Sequence, residues 1–464
     1  MMDYCYIDKE NRSIILFEQS RCALDEKDER LINELLMFID QYEYAKKPFN
    51  IQLGRDSRYI IITSGFVGFA TMNHYTVSVL PKIFSKKSWK TRNMIADATR
   101  ALFRMIDIVY DFTRHIHLTL SEFEEAAYRG LHEIILYIYS QILLEELNRG
   151  IYREYYAFVN DEKFLRGKLN LTRQILKLPT KLHTFNIRYH RLSSNNLLNR
   201  VLYYAAYLGS KFTNWRNNRN RLNYILSLLD EAAVYSIHDI ILDNVVFNRL
   251  NLRFERAYNL AKIIIRGFSK LYDRKAAGFF INMSNLFEEF IFSIIHKVLS
   301  DKYIVLYQYN AGKLLEIFWG KEYGLRSIKL RPDIAIIDRQ TRKPIAFIDV
   351  KYKEIKIIEE PEIDTRDLHQ MFSYSKALEK HTRKGSLIIM VYPYIKELFN
   401  EKIFSKNRAF EGSFVLDSEG EIGKGKLIIM GYDLTELLEK DFYKRMYCKD
   451  HEFFRKLKEN INQY

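Results

Sequence analysis

Over the first 95 residues, apolar positions follow a helical period in one stretch and a strand period in several others. Residues 25–47 place Leu31 and Leu35 on one side, which predicts an amphipathic helix. Later stretches are rich in β-branched and aromatic residues and predict short strands. Pro81 and the basic residues after it indicate a boundary, so residues 1–95 are predicted to form an α+β domain. The predicted strands lie in IQLG, SRYIIITSGFVGFATM and HYTVSVLPKIF.

Residues 96–275 are predicted to be mainly helical. One long apolar pattern opens with Ser121 and Glu124, which have the spacing of a capping box. A second helix is predicted over NLLNRVLYYAAYLGSKFTNW. Between the two helices, the stretch REYYAFVNDEKFLRGKLNLTRQI is predicted to be extended.

Residues 276–464 show a different order of elements: a helix, three strands, a helix and a strand. This order predicts a compact α/β unit. The gap before the second strand leaves room for one more, LLEIFW. The predicted elements are, in order, NMSNLFEEFIFSIIHKVL, YIVLYQY, DIAIID, IAFIDVKY, DTRDLHQMFSYSKALEKH and SLIIMVYP.

The length and the net charge of the chain limit the classes of protein to which it can belong. A chain of 464 residues is long enough for two or three domains, and 48% apolar residues can supply their cores. The net charge of +14 suits a polyanionic partner such as nucleic acid, because surface lysine and arginine release its counterions. A lysine-rich proteome without a special partner is the alternative explanation of the charge.

The cysteines and the hydropathy pattern favour a cytoplasmic protein. Cys5, Cys22 and Cys448 form no CxxC pair, and they predict neither a disulfide framework nor a zinc site. No apolar run approaches the roughly 20 residues that span a bilayer. The N-terminus is too acidic and polar for a signal peptide.

The two strands at 333–352 are predicted to form a hairpin that carries two carboxylates in its apolar part. A turn at residues 339–343 pairs Asp338 with Pro344, and the same register sets Asp333 opposite Asp349. Opposed side chains in an antiparallel pair lie about 5 Å apart on one face. Slippage by one residue would send the two carboxylates to opposite faces.

Two carboxylates at that separation would raise each other's pKa, and a divalent cation relieves the repulsion. Mg²⁺ prefers such oxygen ligands, and the Val350 carbonyl is a further candidate. Lys351 is predicted on the same face, where it would orient or deprotonate a water and offset charge on a phosphate. The pattern therefore predicts metal-dependent phosphodiester hydrolysis, and a solvated edge hairpin with a surface ion pair is the alternative.

These residues resemble the PD-(D/E)xK nucleases: Pro332-Asp333 is followed by Asp349-Val350-Lys351. The resemblance implies a restriction-endonuclease-like domain with an αβββαβ core. Gln370 and Tyr374 resemble the QxxxY motif of the RecB-like branch, and their spacing of four places them on one helix face. The family also places an acid on the preceding helix. Glu288 is expected to be that acid, with Glu289 as the alternative.

Four stretches extend the resemblance to the McrC family, the nuclease subunits of McrBC modification-dependent restriction systems. They are VLPKI at 79–83, FLRGKLN at 164–170, NNLLNRVLYYA at 195–205, and NLFEEF together with the hairpin and helix motifs. The resemblance implies Mg²⁺, or Mn²⁺ in its place, held by Asp333, Asp349, Glu288 and the Val350 carbonyl. Lys351, Gln370 and Tyr374 complete the implied catalytic set.

The same resemblance implies partners. In that family a ring-forming AAA+ GTPase hexamer, McrB, recognises modified double-stranded DNA, commonly methylcytosine, and the N-terminal part of McrC docks into the ring and stimulates its GTPase. The present chain contains no GxxxxGK[ST] phosphate loop, so it is expected to bind no nucleotide itself. Two other functions remain open from the sequence: a non-catalytic activator that docks into an AAA+ ring, and a stand-alone RecB-like repair nuclease.

Overall fold

A computed structural model of the protein describes most of the chain. The described residues are 6–8, 13–24, 29–41, 47–54, 58–72, 74–84, 92–112, 120–177, 181, 183–237, 242–268, 277–319, 323–353, 364–379, 386–394, 410–414, 425–439, 441–446 and 451–462. All statements on structure below concern these residues.

The N-terminal part contains one helix and two sheets. Ile14 and Leu16 of β2 pack with helix α1, whereas Ile15 and Phe17 face the main core, so this strand is buried on both sides. Parallel pairing of β2 with β7 agrees with such burial. The predicted helix is confirmed and begins at Glu29. The elements are β1 (Tyr6–Asp8), β2 (Ser13–Phe17), β3 (Arg21–Leu24), α1 (Glu29–Gln41), β4 (Phe49–Leu53), β5 (Tyr59–Thr63), β6 (Phe66–Thr71) and β7 (Thr76–Leu80).

The middle part is mainly helical, as predicted. Its central helix α4 is buried around most of its circumference, because its sequence is apolar on nearly every side. Glu133 on α4 is a buried exception. Its carboxylate accepts hydrogen bonds from Thr213 Oγ1 and Asn214 N, both at 2.7 Å, and from Asn218 Nδ2 at 2.8 Å. The long helices are α2 (Arg92–Tyr110), α3 (Leu120–Arg129), α4 (Leu131–Asn148), α6 (Leu197–Phe212), α7 (Arg216–Leu228) and α8 (Glu255–Phe268).

A three-stranded sheet interrupts these helices, and we call the described residues of 154–193 the arm. It consists of β8 (Glu154–Glu162), β9 (Lys168–Leu169), the short helix α5 (Leu171–Ile175) and β10 (Phe185–Ser193), in the strand order β8-β10-β9. Phe164 is 81% exposed, and Ile175 and Leu176 are each 79% exposed. The arm therefore presents large apolar side chains to solvent.

Strand β11 (Ala277–Asn282) joins the N-terminal and C-terminal parts. It pairs antiparallel with β6 and completes the five-stranded sheet β1-β2-β7-β6-β11. Helix α9 (Met283–Leu299) follows without a break, and Met283 N donates to Gly65 O at 2.9 Å. One hydrophobic core continues through all three parts of the chain. The domain limits predicted at residues 95 and 275 stay a prediction.

The C-terminal part contains the predicted order of helix, three strands, helix and strand in α9, β12, β15, β16, α10 and β17. Its six-stranded mixed sheet has the order β12-β15-β16-β17-β19-β18. The extra strand expected at 314–319 is part of a separate hairpin, β13-β14. The elements are β12 (Tyr303–Tyr307), β13 (Gly312–Trp319), β14 (Tyr323–Leu330), β15 (Ile334–Asp338), β16 (Pro344–Val350), α10 (Thr365–Glu379), β17 (Ser386–Tyr394), β18 (Phe410–Phe414), β19 (Gly425–Asp433), α11 (Phe442–Met446) and α12 (Glu452–Asn462).

The hairpin β15-β16 has the predicted register in its inner half and a different turn. Ile334 pairs with Ile348, as expected, but a bulge shifts the outer end so that Pro344 pairs with Ile337 rather than Asp338. Asp338 N donates to Lys343 O at 3.0 Å, so the turn has four residues instead of five. The bulge takes up the extra residue of β16 and restores the register that brings the acids together.

Two expectations about the whole chain have a structural outcome. Cys22 on β3 is disulfide-bonded, contrary to the interpretation drawn from the cysteine count. Among the described residues, no helix combines the length and the apolar composition needed to cross a membrane.

Candidate active site

Asp333 and Asp349 lie at the same end of the hairpin, where β15 begins and β16 ends. Extending the register of β15-β16 by one residue sets them opposite each other. Asp333 Oδ2 accepts a hydrogen bond from Val350 N at 2.7 Å, which fixes the first carboxylate beside the second strand. The Asp349 side chain is completely buried. The sequence prediction that both acids meet on one face agrees with this geometry.

Lys351 lies just beyond the end of β16 and points back to the acids. Its ammonium nitrogen is 2.6 Å from Asp349 Oδ2 and donates to Gln370 Oε1 at 3.1 Å. Its backbone N–H donates to Val391 O on the neighbouring strand β17 at 2.9 Å. The side chain is 18% exposed, so the amine is held inside the site and remains accessible from solvent.

Helix α10 supplies the second wall of the site. Gln370 Nε2 donates to Asp349 Oδ1 at 3.3 Å and to the Tyr374 hydroxyl at 2.7 Å. The Tyr374 hydroxyl in turn donates to Arg331 O at 2.8 Å, just before Asp333. The helix thus connects both strands of the hairpin through one chain of hydrogen bonds. The predicted placement of Gln370 and Tyr374 on one helix face is what the structure has.

Glu288 on α9 faces the acids, and Glu289 faces elsewhere. Gln308 Nε2 donates to Glu288 Oε1 at 3.4 Å, and the backbone N–H of Gln308 donates to Asp333 O at 2.7 Å. The Glu288 charge raises the pKa of Asp333 and of Asp349. Burial, and after it the Glu289 charge, raises the pKa of Tyr110 on α2, and Glu289 acts on Tyr307 more weakly than Glu288 does. Of the two candidate acids on this helix, Glu288 is the one near the hairpin.

The electrostatics of the site reflect buried negative charge. Burial, with the nearby charges of Asp349 and Glu288, raises the pKa of Asp333 to about 8. Burial also raises the pKa of Asp349, although Lys351 acts in the opposite direction. Burial disfavours the Lys351 ammonium, but Asp349 outweighs this effect and the pKa of Lys351 is raised. Among the residues that the structure describes, the site therefore holds more carboxylate than Lys351 can neutralise.

Carboxylates of raised pKa fit a divalent cation, which takes one or two of them together with water. Within the described part of the chain, however, no three His, Cys, Asp or Glu side chains gather as a group that could hold a metal ion. The predicted ligand set with Glu288 as its third carboxylate is therefore not assembled. In this arrangement Lys351 contacts Asp349 Oδ2, and Val350 N contacts Asp333 Oδ2.

Lys353 and Asp367 also belong to this region, although neither was among the predicted site residues. Lys353 Nζ lies 2.7 Å from Asp367 Oδ2, on the first turn of α10. The spacing carries a usable signal, since Lys353 follows Lys351 by two residues and Asp367 precedes Gln370 by one helical turn.

Comparisons with known proteins show the family of the chain. A family model described as "McrBC 5-methylcytosine restriction system component" matches residues 61–393, which is more than half of the chain. No curated protein matches the chain.

Two solved structures are similar. A chain in the half-complex of Thermococcus gammatolerans McrB AAA+ hexamers with bound McrC is 23% identical, with a TM-score of 0.65 over 96% of this chain and 99% of that one. It shows a shared mixed α/β fold. A chain in the Thermococcus gammatolerans McrBC complex is 27% identical over 62% of this chain and 88% of that one, with a TM-score of 0.47.

Proposed function

The chain belongs to the McrBC 5-methylcytosine restriction system family, and from this membership and the geometry at Asp333, Asp349 and Lys351 we propose that it is the DNA-cleaving subunit of such a system. The observation that carries the proposal is the buried carboxylate of Asp349 in contact with both Lys351 and Gln370. A buried acid, an amine and a second acid at the end of a strand suit phosphodiester hydrolysis.

We propose that residues 276–464 form a PD-(D/E)xK nuclease domain with an αβββαβ core. The order of α9, β12, β15, β16, α10 and β17 supports this assignment. The hydrogen bonds from Gln370 to Asp349 and Tyr374 support the RecB-like branch. In this proposal the sheet presents the hairpin acids and α10 fixes their orientation.

The residues of the site divide the chemistry among them. The Lys351 ammonium orients the attacking water and offsets the charge that develops on the phosphate. Gln370 holds the Lys351 amine through its Oε1 atom and Asp349 through its Nε2 atom. Tyr374 fixes Gln370 and the backbone at Arg331. These contacts keep the water, the amine and the phosphate aligned without rearrangement during the reaction.

Asp333 and Asp349, with the Val350 carbonyl, would hold Mg²⁺ or Mn²⁺, and Glu288 would add negative charge to the site. When bound, the cation supplies Lewis-acid stabilisation of the phosphate. The raised pKa of Asp333 supports this role, because a cation would favour the ionised carboxylate that burial disfavours.

We further propose that the partner is an AAA+ GTPase ring, as in the similar structure of McrB hexamers with bound McrC. The N-terminal part of the chain would dock to the ring and stimulate its GTPase. The arm is a second docking surface in this proposal, because Phe164, Ile175 and Leu176 are large, apolar and exposed. Exposed apolar patches of this kind mark sites of protein association.

The nuclease role is tested with the complex of this chain and its cognate AAA+ GTPase. Methylated and unmethylated DNA are incubated with GTP and Mg²⁺, and cut products are measured for wild type and Lys351→Ala. We expect wild type to cut methylated DNA, and Lys351→Ala to lose at least about 100-fold in rate. Lys262→Ala removes a lysine of α8 and serves as the matched control with wild-type cutting. Equal cutting by Lys351→Ala would remove Lys351 from the mechanism.

The exposed arm favours one alternative, a docking subunit without nuclease activity. GTP hydrolysis by the partner is measured with wild type, with Asp349→Ala/Lys351→Ala and with Phe164→Ala/Leu176→Ala. We expect the first double variant to stimulate hydrolysis like wild type and the second to lose stimulation. Stimulation without any cutting by wild type would favour the docking role alone, and cutting without partner or nucleotide would favour a stand-alone nuclease.

A further inference from the structure

The segment that follows Lys351 is tied to helix α10 by a second lysine. Lys353 Nζ lies 2.7 Å from Asp367 Oδ2 and 3.8 Å from Asp364 Oδ2. Asp367 is 7% exposed, whereas the Lys353 side chain is 48% exposed. A mostly buried carboxylate thus depends on a lysine that approaches from the solvent side.

The partner of Lys353 lies on the turn of α10 that leads to Gln370. The N–H of Asp367 donates to Asp364 O at 2.9 Å, so the start of the helix is fixed at this residue. One turn later, Gln370 contacts the Lys351 amine and Asp349. The pair therefore closes a ring of contacts: from Lys351 along the chain to Lys353, across to Asp367, along the helix to Gln370, and back to Lys351.

We propose that Lys353 and Asp367 are positioning residues that hold Gln370 against Lys351 and Asp349; this proposal rests on the proposed function. Lys353 and Asp367 do not touch the reacting atoms in this role. They set the distance between the end of β16 and the first turns of α10. Because Gln370 lies on α10, this distance determines how closely Gln370 approaches the Lys351 amine. An error of about 1 Å in the placement of a catalytic group is enough to slow a reaction strongly.

A surface ion pair of ordinary strength would contribute little to stability and leave catalysis unchanged. Two features separate the Lys353–Asp367 pair from that case. The Asp367 carboxylate is mostly buried, and it lies one helical turn before Gln370, which contacts both Asp349 and Lys351. Lys353 lies beyond the last residue of β16 and beyond the backbone bond of Lys351 to Val391 O, and its described contact is the side-chain ion pair with Asp367.

The test compares Lys353→Met, Asp367→Asn, Lys353→Arg, Gln370→Ala and the double variant Asp367→Asn/Gln370→Ala. DNA cutting by the complete complex gives kcat and KM. We expect Lys353→Met and Asp367→Asn to lower kcat about 10-fold with KM within about 2-fold, and Lys353→Arg to retain most of kcat. The double variant should match Gln370→Ala alone, because the pair acts through Gln370. Lys262→Met, which removes the Lys262–Asp243 ion pair at 3.6 Å on α8, is the matched control.

A second readout does not need nuclease activity. The full chain alone is acetylated with an amine-reactive ester, and the rate at Lys351 is followed by mass spectrometry. We expect faster labelling of Lys351 in Lys353→Met and Asp367→Asn than in wild type, because the amine is held less firmly. Lys353→Met keeps the test valid if Asp367→Asn misfolds, since Lys353 is half-exposed.

The outcomes separate the two proposals. If wild type cuts no DNA but Lys351 is labelled faster in the variants than in wild type, the positioning role is supported and the nuclease role is rejected. If wild type cuts DNA and the variants keep both kcat and the labelling rate of Lys351, only the positioning role is overturned. An increase in KM with unchanged kcat would also overturn it, since Lys353 would then contact the DNA directly.

Discussion

Lys351 Nζ lies 2.6 Å from Asp349 Oδ2, and the carboxylate of this ion pair is completely buried. Moving two charges from water into the protein interior costs free energy. The pair is tolerated because the two charges compensate each other and Gln370 forms hydrogen bonds with both residues. A broken pair leaves an uncompensated buried charge, which costs more free energy than the pair contributes. Stability therefore reports on this contact independently of any activity.

Lys351→Met should lower the free energy of unfolding by about 3 kcal/mol at neutral pH, because Asp349 is left buried without its cation. The double variant Asp349→Asn/Lys351→Met should recover most of this loss, since neither charge remains. Urea unfolding of both variants measures the difference. Equal destabilisation of the single and the double variant would show that packing, and not charge, dominates the contact.

Glu133 is predicted to be essential for the joint between α6 and α7. Glu133→Ala removes the acceptor of Thr213, Asn214 and Asn218 and leaves the donors of Thr213 and Asn218 buried, which should cost about 3 kcal/mol. Glu145→Ala on the same helix is the matched control, because Glu145 is exposed and forms a surface ion pair with Arg149. Its effect should stay within about 0.5 kcal/mol in the same urea experiment.

Gly68 is predicted to be irreplaceable in β6. It has φ of 146°, and a Cβ atom there would lie 1.9 Å from Phe279 O on β11. Gly68→Ala should therefore disrupt the pairing of β6 with β11 and lower the thermal midpoint. Gly150→Ala separates clash from backbone strain, because Gly150 has φ of 125° but open space around the new atom. Equal effects of the two substitutions would show that strain alone is responsible.

Glu18 should make stability depend on pH. Burial raises the pKa of its carboxyl from 4.5 to about 7, with Tyr352 and Lys82 acting in the opposite direction. Between these values the folded state holds a proton that the unfolded state has lost, so stability falls as the pH rises from 4.5 to 7. Glu18→Gln removes this dependence.

The free energy of unfolding of Glu18→Gln relative to wild type should therefore rise by about 3 kcal/mol from pH 4.5 to 7 and stay level above it. Urea unfolding at intervals of one pH unit measures this difference. A constant difference across the range would mean that Glu18 titrates alike in the folded and unfolded states.

The hairpin could be predicted from the sequence because its two strands and the turn between them are consecutive in the chain. Continuous apolar runs define β15 and β16, and their register brings Asp333 and Asp349 together. The turn was wrong by one residue, since the bulge depends on how Pro344, which lacks an N–H, fits the ladder. The extended prediction over 153–175 missed α5, although Asn170 caps it by accepting from Arg173 N.

Pairings between distant residues could not be predicted from patterns. The ladder of β6 and β11 joins strands that are separated by the whole helical part of the chain, and no local period encodes such a partner. The same limit hid the contact between Lys353 and Asp367, because side chains from a strand end and a helix meet only in the folded chain.

The strand β11 also sets an order of events for the newly made chain. The five-stranded sheet has its last member at Ala277–Asn282, so the ribosome must release those residues before the sheet can be completed. Until then the edge of β6 stays open to pairing with other chains. Synthesis speed through the helical segments thus determines how long this nascent protein is exposed to aggregation.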